Sequence, residues 1–395
     1  MKHPFQLLTS DKSGKYLFTS NQNVIQVFNF GDGNVIGEWK DETESGQLKT
    51  VKNDEKKGKA KFSQSISNYI RYLILDDSEN YLIACADSDK SILIFKLDLN
   101  ASNCLNLIKR QQIPKRPSSL AVQDSIVVVA DKFGDVYSIP IDSEISDMDK
   151  LEPILGHVSM LLDVELVKSK NEKPFIITCD RDEHIRISNF PKSYVIKGYL
   201  MNHKNFVSKL FVPHFDSSLL ISGGGDDYIC LWNWYNENLM QKIDIRELVE
   251  EYLDDFHLPP ERIRKEQEEE EGKLIKETSI AQISSVTIGE KSYVIILIEH
   301  TPVLLFFEFV NNNLKYFQIL KFEDNIVNFA VTGDEIIVSL DSETLVKALK
   351  FDIEFKIDEN EIVSRIIDQI SINTDSNFQQ LYPISSLRKR KENEF

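Results

Sequence analysis

The sequence predicts an all-β fold, a seven-bladed β-propeller with charged loop insertions. Three observations predict it. Strand-like runs rich in β-branched and aromatic residues, bounded by Gly, Asp, Asn or Ser, recur along all 395 residues, while long helical periodicity is rare. One block repeats: LFTSNQNVIQVFNF from Leu17, IACADSDKSILIFKL from Ile83, VVADKFGDVYSIP from Val128, ITCDRDEHIRISNF from Ile177 and ISGGGDDYICLWNW from Ile221. The third-strand ends of these blocks, Phe28, Phe95, Ile139, Ser188 and Trp232, are 67, 44, 49 and 44 residues apart. Further marks at Phe306 and Leu349 make seven units once two charged insertions, residues 41–67 and 245–278, are set aside. A period near 45 with four short strands per unit fits a propeller, because one small twisted sheet buries both faces only when neighbours stack around a ring.

Taken in order, Phe5 to Thr9 reads as the first strand of the first blade, and Gly31-Asp32-Gly33-Asn34 as a hairpin turn. Residues 41–67 mix five acids with six bases and have almost no apolar anchors, so they read as a mobile loop. Gly223-Gly224-Gly225 belongs to a strand and turn; no helix-forming segment follows it, which excludes a phosphate loop. The insertion from Ile245 to Thr278 carries twelve acids and six bases and has helical character. Its Leu248, Tyr252, Leu253 and Phe256 are spaced to pack on the propeller or on a partner, whereas Glu266 to Glu271 read as solvated. The apolar stretch from Val294 to Val310 is broken by Glu299, His300 and Pro302 and reads as two strands joined by a turn, not as a membrane span. The last blade uses Phe351 to Ile357, leaving no spare N-terminal strand to complete it, so the seam of the ring is expected to be held by packing alone. The propeller thus occupies residues 1–357, followed by an extension, 358–395, with the basic run Arg388-Lys389-Arg390-Lys391.

Composition narrows the function. A formal charge of −17 repels phosphate backbones and favours a basic protein partner. The four cysteines have no metal-binding spacing, three of them lie in apolar strand-like runs, and a reducing compartment follows. No dinucleotide-binding glycine pattern, P-loop or zinc-protease pattern occurs. The start of the chain lacks the apolar core of a secretory signal.

The fifth unit resembles the WD-repeat family, with Asn202-His203 where Gly-His is usual and Leu231-Trp232-Asn233 where Leu-Trp-Asp is usual. The fourth begins with Gly156-His157 but ends in Ser188. The resemblance implies a hydrogen-bonded network of His203, Ser222, Asp226 and Trp232 in the fifth unit and of His157, Thr178 and Asp182 in the fourth, with Asp89 repeating the position in the second. A Ser-His-Asp set also suggests a hydrolase triad. Its recurrence in adjacent repeats, without a nucleophile-elbow turn, favours a structural role.

The stretches LGHVSMLLDV from Leu155, ITCDRDEHIRISNFP from Ile177 and HKNFVSKLFV from His203 are similar to the non-catalytic WD-repeat subunit of the eukaryotic tRNA (guanine-N7-)-methyltransferase. A weaker match, KRPSSLAVQDSIVVVADKFGDVYSIP, begins at Lys115. The resemblance implies a scaffold without catalytic residues, cofactor or metal of its own. It would bind and stabilise a catalytic subunit as a heterodimer, with S-adenosylmethionine on that partner and tRNA reached mainly through it. Arg181, Glu183 and Arg186 are the expected interfacial ion pairs, with Lys204, Asn205 and Phe206 beside them. Arg186 also reads as an ordinary third-strand residue. The basic tail fits a nuclear import signal, a weak RNA-contacting arm or a solvated terminus; a nuclear location, with the cytoplasm as a second compartment, is expected. An adaptor for ribosome assembly or ubiquitin ligation shares the fold, and an enzyme with a site in the channel is the remaining alternative.

Overall fold

The central strands of each repeat are apolar on both faces, which forces every sheet to be covered on both sides. In Lys291–Ile298, Val294, Ile296 and Ile298 join one core cluster while Tyr293, Ile295 and Leu297 join the next. Tyr228–Asn233 divides likewise, Ile229 and Leu231 to one side and Tyr228, Cys230 and Trp232 to the other. The computed structural model describes residues 2–43, 69–87, 89–270, 274–358, 361–372 and 383–390. In it, seven four-stranded antiparallel sheets, each in sequence order, span residues 7–40, 70–112, 117–156, 161–200, 207–244, 280–321 and 326–358. We number these blades 1 to 7. The core lies between blades, in clusters that each draw on two neighbours.

All seven register marks fall in third strands, opposite second-strand residues such as Leu17 for Phe28 and Leu220 for Trp232. At Phe28, Phe95, Ser188 and Trp232 the pairing to the fourth strand shifts by a bulge, which increases the local twist. Val294 to Val310 forms the second and third strands of blade 6. Among the described residues no helix is long and apolar enough to cross a membrane.

The antiparallel order places the loops between blades and the turns between second and third strands on one face of the ring. The insertion after blade 5 lies on that face as short turns: helix α1 (Arg246–Val249), 3-10 turns at Glu250–Tyr252 and Asp255–His257, and helix α2 (Glu261–Glu270). Ile245, Val249 and Leu253 are buried between blades 5 and 6, and Phe256 stacks on His300 at 4.2 Å. The charged loop predicted over 41–67 lies outside the described residues from 44 onward.

The seam differs from expectation. Blade 1 begins with Leu7–Ser10 and blade 7 ends with Phe355–Asp358, so among the described residues no strand is exchanged. Packing alone does not hold the junction, however. Leu8 N donates to Asn328 Oδ1 at 3.1 Å, and the segment after blade 7 returns as helix α3 (Glu361–Asp368). Val363, Ile366 and Ile370 fill one cluster with Phe28 and Phe30 of blade 1, with Phe5 just before its first strand, which begins at Leu7 and not at Phe5, and with Ile337, Val346 and Ala348 of blade 7. Polar bonds fasten it: Gln369 Nε2 donates to Gly33 O at 2.7 Å, Gln369 Oε1 accepts from Val35 N at 3.1 Å, and His3 N donates to Ile372 O at 3.0 Å. The C-terminal helix is a latch across the ring closure.

Candidate partner-docking face

The loop-bearing face over blades 4 and 5 is organised by two buried hydrogen-bond relays. In blade 5 Trp232 Nε1–H donates to Ser222 Oγ at 2.8 Å, Ser222 Oγ meets His203 Nε2 at 2.8 Å, and His203 Nδ1 meets Asp226 Oδ2 at 2.7 Å. A carboxylate only accepts, so Nδ1 carries the imidazole proton and Nε2 accepts from the serine hydroxyl. Burial pushes the Asp226 carboxyl up, but the bonds from His203 and from the Lys204 and Asn205 amides outweigh it and hold the pKa below its ordinary value.

Blade 4 repeats the relay with one correction. His157 Nε2 meets Thr178 Oγ1 at 2.8 Å, but Nδ1 meets Asp180 Oδ2, at 2.8 Å, not Asp182. In blade 5 the residue aligned with Asp180 is Gly224, where a Cβ would lie 1.8 Å from Phe206 O; no side chain fits, and the carboxylate comes from Asp226 instead. Asp180 also accepts from the amides of Asp182 and His184, at 2.8 and 3.1 Å, which fixes the turn between them. Asp182 accepts from Ser159 Oγ at 2.7 Å and pairs with Lys389. Asp89 stands outside such a relay and pairs with Arg110, which also reaches Asp41. These groups are cross-links inside sheets and between loops, and the Ser222 hydroxyl is fully buried.

The relays aim the loops that carry the predicted interface residues. Lys204 N is held by Asp226, and its side chain is exposed. Asn205 and Glu183 are half-buried, Glu183 in the left-handed region at φ 67°. Arg181, also half-buried, donates from Nε to Leu387 O at 2.6 Å. Two of the six are internal. Phe206 is buried between blades 4 and 5, and Arg186, only 8% exposed, donates from Nη1 to Gly156 O at 2.9 Å. Arg186 therefore ties blade 4 to the end of blade 3 and supports the loop beyond Gly156.

That loop and the outer strand Ile196–Leu200 expose what the sequence reading missed. Val158 is fully exposed and Met201 58% exposed; Tyr199, also exposed, sits opposite Arg186 and edge-on to His184 at 6.5 Å. A usable signal existed in the alternation of Tyr199 and Met201 at the end of an outer strand. Apolar side chains rimmed by charged ones are the usual makeup of a protein contact. Among the described residues no group of three or more His, Cys, Asp or Glu is placed to hold a metal ion.

The fold and these relays define the class: a WD-repeat propeller whose Ser-His-Asp sets serve structure. Comparison with known proteins narrows it. The family profile described as "tRNA methyltransferase TRM82 WD40 domain" matches residues 17–153 and 142–353. A protein of Meyerozyma guilliermondii named "tRNA (guanine-N(7)-)-methyltransferase non-catalytic subunit TRM82" is 43% identical, with 99% of this chain and 100% of that protein aligned. The protein of the same name from Saccharomyces cerevisiae is 35% identical over 99% of this chain and 98% of its own. This chain belongs to the TRM82 family of non-catalytic tRNA (guanine-N7)-methyltransferase subunits. A chain of a structure titled "Crystal Structure of Mitotic Checkpoint Complex" superposes with a TM-score of 0.60 at 12% identity, over 89% of this chain and 93% of that one, and shares the fold alone.

Proposed function

We propose that this chain binds the catalytic subunit of its methyltransferase as a heterodimer and stabilises it in an active shape for methylation of tRNA at guanosine N7. The observation that carries this reading is similarity from end to end to non-catalytic subunits of that enzyme. S-adenosylmethionine belongs to the partner in this account. The charge of −17 supports tRNA being reached mainly through the partner, and a nuclear location goes with the basic run from Arg388 to Lys391.

The docking surface is the edge of blades 4 and 5: Val158, Tyr199 and Met201 as the apolar centre, with Glu183, Lys204 and Asn205 around it. Isothermal titration of the full chain against the catalytic subunit tests it. Met201→Asp should weaken binding by about tenfold or more without changing the melting temperature, as expected for an apolar anchor at an interface centre. Arg186→Ala should lower both affinity and melting temperature, because its guanidinium holds the loop from within. Undiminished affinity in Met201→Asp would remove this surface from consideration.

A further inference from the structure

We propose that the mouth of the central channel is a binding site for a short apolar-and-basic peptide, and that this chain's own residues 383–390 are the ligand filling it in cis. This goes beyond the scaffold reading and does not depend on it. Three kinds of anchor hold the segment, each at a different part of the site.

The backbone is read by Glu299, in the turn after Lys291–Ile298 of blade 6 and 7% exposed. Its two carboxylate oxygens accept separately from the consecutive amides of Ile384 and Ser385, at 2.5 and 2.7 Å. From the opposite side Arg181 Nε donates to Leu387 O. The apolar side chains Ile384 and Leu387 pack on the cluster between blades 4 and 5, beside Met160, and line a channel cavity of about 460 Å³.

The basic residues meet acceptors already built into the face. The Arg388 side chain, 12% exposed, donates from Nη2 to Gly225 O at 2.6 Å and Thr278 O at 2.9 Å, and its guanidinium lies 5.8 Å from the Phe206 ring centre. Arg390 grips both oxygens of Glu277, and Lys389 pairs with Asp182. Ordering eight residues costs conformational entropy that scattered surface ion pairs do not offset. Buried carbonyl acceptors, a bidentate carboxylate and the packing of Ile384 and Leu387 on one apolar cluster act against that cost. The segment covers Arg181, Asp182 and Phe206, so a partner segment of the same pattern has to displace it.

Hydrogen exchange on the full chain, with a fluorescein-labelled peptide of sequence PISSLRKR added in trans, tests the site. In the unaltered chain the amides of 384–390 should exchange at least about tenfold more slowly than in the free peptide. Arg388→Glu/Arg390→Glu should bring them to the free-peptide rate while the blades keep their protection, which shows that the propeller remains folded. The same variant should bind the labelled peptide about tenfold tighter than the unaltered chain, since the tethered competitor has left. Adding Glu299→Ala should abolish that binding. Free-peptide exchange of 384–390 in the unaltered chain, or equal peptide affinity for both chains, would overturn the proposal.

Discussion

Proton placement determines what the His203 and His157 relays contribute. Each imidazole faces a carboxylate through Nδ1, so removal of the carboxylate strands a buried N–H. Asp226→Ala and Asp180→Ala should each cost about 1.5–3 kcal/mol, while Asp182→Ala, whose partners are nearer the surface, should cost about 1 kcal/mol or less. Urea melts of the three variants check the order. Equal losses at Asp180 and Asp182 would contradict the corrected relay. The pH dependence follows from the same groups. Burial holds His157 below its usual 6.5, so as pH falls through that value the unfolded chain takes up a proton that the folded chain refuses, and stability drops. Asp226 and Asp180, held below 3.8 by their donors, contribute stability that is present above that value and lost as pH falls through their lower folded pKa values. Melting temperature should therefore decline steadily below pH 6.5, and it should decline less in His157→Gln. At this scale the blade 5 relay was fully legible, since its Trp, Ser, His and Asp all match the repeat pattern. Blade 4 was not: residue-by-residue alignment places Asp182 opposite Asp226, and only the contact between Gly224 and the Phe206 carbonyl explains why the two blades take their carboxylates from different positions.

Among elements, helix α3 does what an exchanged strand would otherwise do. Ile366 is fully buried between blades 1 and 7, and Ile366→Ala should cost about 2–5 kcal/mol, the range for large-to-small changes in a core. The loss should be directional. Exchange protection should fall first in Leu7–Ser10 and Ile326–Thr332, which flank the seam, before it falls in blades 3 to 5. A uniform loss around the ring would deny α3 its role as latch. The apolar residues Val363 and Ile366 of the helix and Ile370 just past its end were read only as part of an extension, because the seam they fill exists only after the ring has closed. The insertion after blade 5 teaches a related lesson. Its apolar spacing left packing on the propeller or on a partner open, and Leu253 packs on the propeller; the helical character read before Pro259-Pro260 is resolved into short turns, and a helix resumes only after the two prolines.

For the whole molecule, ring formation follows from strands that are apolar on both faces, and that property is plain in runs such as YVIILI and VLLFFEF of blade 6. The fold was therefore the most legible feature. The candidate docking face was the least legible, since exposure depends on which loops lie over which blades: Phe206 and Arg186 proved internal, while Val158, Tyr199 and Met201 came to the surface. The function proposed for this ring is to hold another protein in working order. Transfer of labelled methyl groups to tRNA, measured for the catalytic subunit alone, for this chain alone and for the two together, tests it most directly. This chain alone should incorporate none, and its addition to the partner should give a large gain; incorporation by this chain alone, or a partner equally active without it, would refute a scaffolding role.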